Sequence, residues 1–298
     1  MASKLEVLHL RGESYYIPGA VNLGLYGPPS STILLDSGND EAWGRKIYRL
    51  LEEEGRTLTL LLNTHSHADH IGGNAYLQKK TGCSIGAPPG ETPFIENPYL
   101  EPTFLWGAAP FKELCNKFLL AEPSQVSLRV SPGKTVGDTG LIPRPLKGHA
   151  LDMVGFRTPD EVLYLGDSLF SREIIEKYRL LFGVNIREWL ETLEELREEE
   201  AAYFVPCHAE PVRDITSLIE INRKALLSLT EDVLALCGEP QNRDRLTTSL
   251  FRQYGLKMTP SQYVLGSATI SACITYLLEE GTLEMIEEEG ELLWGRCS

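Results

Sequence analysis

Residues 64–74 read Thr-His-Ser-His-Ala-Asp-His-Ile-Gly-Gly-Asn, which places His65, His67, Asp69 and His70 within six positions. The chain has six histidines in 298 residues, and half of them fall in this run. In an extended stretch, side chains at i and i+2 project to the same side, so His65 and His67 can grip one ion together. Asp69 and His70, a step further on, then face a neighbouring position. Neutral imidazole and carboxylate suit Zn²⁺, Mn²⁺ or iron, whereas Mg²⁺ and Ca²⁺ take oxygen shells. The alternative is a polar loop whose histidines make only local hydrogen bonds. Entry from the apolar stretch Leu58-Thr59-Leu60-Leu61-Leu62 speaks against it, and the run predicts a metal site.

The run resembles the His-x-His-x-Asp-His signature of the metallo-β-lactamase superfamily, and its Gly72-Gly73-Asn74 tail is similar to the glyoxalase II branch. The resemblance implies three further ligands downstream. Residues of the right type follow in order: His149 after Gly148, Asp167 after Gly166 and His208 after Cys207. Only His9 is left over, and it reads as structural or surface. The family arrangement, carried onto these positions, gives one cation to His65, His67 and His149. A second goes to Asp69, His70 and His208, with Asp167 bridging both. The implied cofactors are two divalent metal ions, zinc first, with Mn or Fe as alternatives. The implied nucleophile is a metal-bridging hydroxide, with no Ser or Cys nucleophile and no acyl-enzyme. Asp69 takes on a catalytic duty beside ligation, shuttling the proton.

Departures from individual branches narrow the expected substrate. Asp167 stands where the antibiotic-hydrolysing β-lactamases use Cys, and those enzymes usually lack a His at the position of His70. Gly166-Asp167-Ser168-Leu169-Phe170 is close to the glyoxalase II segment, but Ser171-Arg172-Glu173-Ile174 departs from its continuation. Phe170 replaces the Tyr of the acyl-homoserine lactonases. The expectation is a dinuclear hydrolase of an ester, thioester or lactone acting on a small molecule. The alternatives are a single-strand endoribonuclease of the same superfamily and an iron-dependent persulfide dioxygenase or diiron oxidoreductase. The diiron type usually has Glu at the position of His67.

A formal charge of −14 argues against a phosphate-backbone binder, which needs clustered Lys and Arg. No segment approaches the ~18 apolar residues of a membrane helix, and the N-terminus carries no apolar signal-like stretch. Six scattered cysteines without Cys-x-x-Cys spacing suit reduced thiols, so a cytoplasmic protein is expected. Cys207 reads as a structural cysteine pointing away from the metals.

The elements that must position these residues alternate between strand and helix, which indicates a layered α/β domain. Short strand-like runs fill the first 36 residues; the 41–54 stretch is helical, ending at Gly55; 71–80 is the helix after the histidine run. Further strands are expected at 127–130, 153–157, 161–165 and 203–206, with a helix at 186–199. Asp36, closing Leu34-Leu35-Asp36-Ser37-Gly38, stands where the family braces its metal loop, and reads equally as a simple Asp turn.

The resemblance covers roughly residues 5–215 and implies the four-layer αβ/βα sandwich, in a catalytic domain of 1–213. Residues 92–122 interleave aromatics with prolines and hold no period. They either cap the cleft with an apolar wall, dock a second subunit as a homodimer, or pack on the core as a short helical insertion. From 214 to 298 the pattern is helical, with helices beginning near Asp214, Arg243, Pro260 and Ser267 and a final hairpin around Glu289-Gly290. That order resembles the winged-helix module of the endoribonuclease branch. The stretch 268–280 contains no Lys or Arg and the hairpin is rich in Glu, so nucleic acid is not the expected partner.

Overall fold

The computed structural model describes residues 5–297. Four short strands, β1 (Leu8–Arg11), β2 (Ser14–Ile17), β3 (Leu23–Tyr26) and β4 (Thr32–Leu35), form an antiparallel meander. β5 (Leu58–Leu62), β6 (Ser84–Ala87) and β7 (Leu128–Arg129) add to it in parallel, so seven strands lie in chain order. Parallel neighbours need crossovers. α1 (Glu41–Glu53), capped by the Asp40 carboxylate, supplies the first. The single turn α2 (Ala68–Ile71) and then α3 (Asn74–Thr81) supply the second. The third holds α4 (Thr92–Glu96), α5 (Leu100–Trp106) and a 3₁₀ turn at Lys112–Leu114.

The second sheet has the order β11-β10-β9-β8, from β8 (Ile142–Pro145), β9 (Val154–Arg157), β10 (Val162–Tyr164) and β11 (Tyr203–Val205). α6 (Arg172–Tyr178) and α7 (Ile186–Arg197) carry the chain from β10 to its parallel neighbour β11.

Side-chain alternation along the strands builds the layers. Leu34 and Leu61 face α1 and α3, packing with Ile47, Leu50, Leu51 and Leu77. Ile33, Leu35 and Leu62 face the other way, onto Phe156, Val162, Tyr164 and Val205 of the second sheet. Leu163 and Phe204, of opposite parity, turn outward to Trp189, Leu193 and Leu196 of α7. Helix, sheet, sheet and helix therefore stack as the four-layer α/β sandwich.

After β11 come α8 (Thr216–Leu236), α9 (Arg243–Gln253), α10 (Pro260–Glu279) and the hairpin β12 (Leu283–Glu288) with β13 (Glu291–Arg296). These helices share one apolar cluster with α7. Two expectations need correction. The helix break expected at Ser267 does not occur: α10 runs through it, because Gly266 and Ser267 are small to admit the neighbouring helix. A Cβ on Gly266 would meet the Phe251 ring at 2.6 Å. The helix expected over 71–80 starts only at Asn74, because Gly72 and Gly73 admit the backbone of Asn39 and the carbonyl of Ser37, at 2.3 and 2.5 Å from an added Cβ.

The 92–122 segment packs on the core and also lines a pocket. Ile95 joins Ile71 and Ala87, while Leu114 and Leu119 pack against Val264 of α10. No helix among the described residues is long and apolar enough to cross a membrane.

Candidate metal centre

The predicted residues converge at the C-terminal ends of β5, β8, β10 and β11, where the two sheets meet. His65 and His67 follow β5, and Asp69 and His70 sit in the one-turn α2. His149 follows β8, Asp167 follows β10 and His208 follows β11. Ligand atoms of His65, His67 and His149 lie within 4.8 Å of one another, as do those of Asp69, His70 and His208. Asp167 reaches both groups. Its Oδ1 is 3.2 Å from His70 Nε2, while its Oδ2 is 3.4 Å from His149 Nε2 and 3.1 Å from His208 Nε2. All seven positions named from the sequence are thus in one cluster, and His9 is elsewhere, bonding Gly12 O through Nε2 on the surface.

The rings are aimed by their far nitrogens. His149 Nδ1 lies 2.9 Å from Phe182 O and His208 Nδ1 lies 3.0 Å from Ala20 O. A carbonyl only accepts, so each Nδ1 carries a proton and each Nε2 is turned toward the cluster. His70 Nδ1 is 2.8 Å from Asp36 Oδ2, and His65 Nδ1 is 2.9 Å from Thr64 Oγ1. Asp36 also accepts from Thr64 N–H and Thr64 Oγ1, so it braces the loop and is no simple turn residue.

Burial lowers the basicity of three imidazoles. It pulls His65 well below the ordinary value, His67 to about 4 and His149 to about 3, although Asp167 opposes the shift at each. They stay neutral at pH 7, the form that ligates. Burial lowers His70 and His208 as well, but Asp167 and Asp69 outweigh it and hold both above the usual value. That half of the cluster therefore sits in a field favouring positive charge. Burial raises Asp167, yet the His208 and His70 rings overcome it and keep the carboxyl ionised.

The donor set fits divalent cations on a direct observation. His65 Nε2, His70 Nε2 and Asp167 Oδ1 are buried and make no hydrogen bond; the 3.2 Å approach between the last two lacks hydrogen-bond geometry. Buried polar atoms without partners are rare, and three on side chains whose ligand atoms lie within 4.8 Å of one another indicate a place for cations. Cys207 offers no thiolate: it packs in the apolar cluster beneath the first sheet, and burial pushes its thiol up to about 12.

Phe170 apart, the residues that shape the site left no mark in the spacing of the sequence. Trp189 lies under Gly148 and donates from Nε1 to Ser168 O. Phe170 stacks on His208 with ring centroids 5.4 Å apart. Glu91 accepts from Ser66 N–H, Ser66 Oγ and Asp152 N–H, tying the histidine loop to the 146–152 turn.

Residues 16–208 match the sequence profile described as the metallo-beta-lactamase superfamily. The chain is 32% identical over 199 residues to a hydroxyacylglutathione hydrolase of Nitrobacter hamburgensis, covering 65% of this chain and 66% of that one. A hydroxyacylglutathione hydrolase of Rhodopseudomonas palustris is 37% identical over 129 residues, 42% of this chain and 39% of its own length. The chain thus spans just under two thirds of the first relative and well under half of the second. Among solved structures, a metallo-beta-lactamase family protein of Thermus thermophilus superposes with a TM-score of 0.74 at 21% identity, over 99% of both chains. A beta-lactamase domain protein of Burkholderia ambifaria gives 0.72 at 18%, over 98% of this chain and 94% of that one. Both likenesses include the C-terminal helices and hairpin, and at these identities they concern the fold alone. With the profile spanning β3 to β11, the histidine run and every clustered side chain, the chain belongs to the metallo-beta-lactamase superfamily.

Proposed function

We propose that the chain is a metal-dependent hydrolase of an ester, thioester or lactone, with two divalent cations held by His65, His67 and His149 and by Asp69, His70 and His208. The observation that carries the reading is Asp167, one carboxylate whose two oxygens face both groups of imidazoles. Zinc suits the N/O donor set best, with Mn or Fe next. Such a pair of cations supplies Lewis acidity and lowers the pKa of water from 15.7 toward ~7.

The protein's own groups do the rest. Asp69, whose side chain is 37% exposed, sits at the mouth of the cluster and can accept a proton and pass it to the leaving group. Ser66 Oγ donates to Glu91 and Ser168 Oγ to Leu165 O, so neither hydroxyl is free to attack. Water adds to the carbonyl, the C–O or C–S bond breaks, and the acid and the alcohol or thiol leave. The relatives named for hydroxyacylglutathione bring thioesters into the substrate class. Nucleic acid does not suit the acidic hairpin, where Glu284, Glu287 and Glu288 are exposed. We assign the chemistry to residues 1–213 and read 214–298 as a winged-helix-like module packed on α7.

Metal analysis of protein purified without added metal is expected to give two equivalents per chain. A panel of p-nitrophenyl esters, thioesters, lactones and single-stranded RNA is expected to show hydrolysis of the first three classes. Cleavage of RNA with all esters ignored defeats this reading.

A further inference from the structure

Next to His67 the 92–122 segment closes a small pocket. Phe94 and Phe104 stand edge to face, 6.1 Å between centroids, with Leu151 and Phe182 completing the apolar lining. Two carboxyl groups, Glu91 and Glu101, face the same space, and no Lys or Arg lines it. Their situations differ. Glu91 is satisfied by three protein donors. Glu101 is 8% exposed, and among the described residues no hydrogen bond or ion pair reaches its carboxyl. Burial, and after it the Glu91 charge, pushes Glu101 up to about 8.

A largely buried acid with no protein donor costs stability and calls for a reason. The fold gains nothing from it, since an apolar residue would fill the same space beside Phe94 and Phe104. Its neighbours decide what would satisfy it. An anionic group finds two carboxyls and no Lys or Arg to receive it, and a purely apolar group leaves Glu101 unpaired. An alkylammonium favours the ionised form of Glu101, donates to it, and rests on aromatic faces that attract cations.

We propose that Glu101 is a specificity-determining residue, and that the substrate's acyl chain carries a primary amine, cationic at neutral pH, which seats between Glu101, Phe94 and Phe104. This rests on the hydrolase reading above and names the substrate class of that same site. The aromatic 92–122 segment then acts as a selective wall.

The test compares p-nitrophenyl 6-aminohexanoate with p-nitrophenyl heptanoate, which differ in an ammonium against a methyl. Wild-type, metal-loaded protein is expected to favour the amine ester by about tenfold or more in kcat/KM, as a charge-assisted hydrogen bond allows. Glu101→Gln is expected to bring that ratio to about one, with circular dichroism confirming the fold. A wild-type ratio near one, or a preference kept by Glu101→Gln, overturns the proposal. If neither ester is hydrolysed and the thioesters and lactones of the panel are also untouched, the hydrolase reading fails on its own. Calorimetric titration with hexylammonium then still decides the pocket: binding lost in Glu101→Gln supports the proposal, and no binding to the wild type overturns it.

Discussion

His70 Nδ1 and Asp36 Oδ2 lie 2.8 Å apart with both side chains buried, so the end of β4 holds a ring that β5 delivers. Asp36 adopts φ +62 to do so, a conformation that Asp and Asn tolerate better than other residues. Its two bonds to Thr64 fix the loop ahead of His65. Asp36→Asn keeps the shape and the backbone tolerance but removes the charge behind His70. Partners of this kind typically contribute 10–100-fold to metal affinity, so competition with a chromophoric chelator should show one cation weakened by about that factor. Unchanged affinity for both cations refutes the bracing role.

Asp167→Asn tests the centre itself. The amide retains one oxygen but turns an NH₂ toward imidazole lone pairs, and it can no longer serve both groups. Metal content is expected to fall from two equivalents to one or fewer. Hydrolysis should drop by roughly 10²-fold or more, about 3 kcal/mol of transition-state stabilisation. Inductively coupled plasma analysis and ester kinetics on the same preparation check both, and intact hydrolysis defeats the mechanism.

The site was more legible in the sequence than its surroundings. The ligands could be read because metal chemistry restricts them to few residue types, and because the histidine run, Asp167 and His208 each follow an apolar strand of the sandwich. What escaped notice depends on contacts between distant segments. β8 contains Pro143 and Pro145, which hide a strand in sequence yet are tolerated at the edge of the second sheet. Gly72 and Gly73 look like ordinary helix residues until Asn39 and Ser37 are seen against them. Glu91 and Glu101 carry no spacing signal; only the crossover between β6 and β7 brings them beside His67.

Gly148 shows how tightly the fold positions one ligand. It has φ +113, and a Cβ there would stand 2.3 Å from the Trp189 Cβ and 2.4 Å from its Cα and N. Its carbonyl also accepts from Val184 and Asn185 N–H groups, so the turn cannot shift freely. Gly148→Ala adds overpacking to a left-handed strain, about 2–4 kcal/mol together. Gly82→Ala is the control: φ is +71 and nothing lies within 4 Å, so only the backbone cost of about 1 kcal/mol applies. Urea unfolding should separate the two by at least about 1 kcal/mol, and only Gly148→Ala should weaken cation binding through His149. Equal destabilisation of both variants contradicts the packing argument.

Glu101 makes stability depend on pH in a direction that ordinary carboxylates do not. Its carboxyl titrates near 4.5 when unfolded and at about 8 in the folded chain, chiefly through burial. Between those values the folded chain holds a proton that the unfolded chain has released. The contribution is therefore fully present below about pH 4.5 and is lost as pH rises through about 8. Glu101→Gln removes the dependence, since the amide is neutral throughout. The variant and the wild type should unfold at nearly the same denaturant concentration at pH 5. By pH 8.5 the variant should be the more stable, by a difference on the order of 2–4 kcal/mol. Calorimetric melting across the same range gives an independent reading of the slope. A gap that does not widen with pH means that Glu101 reaches water or a cation in solution, and the pocket then has no unpaired acid to offer a substrate.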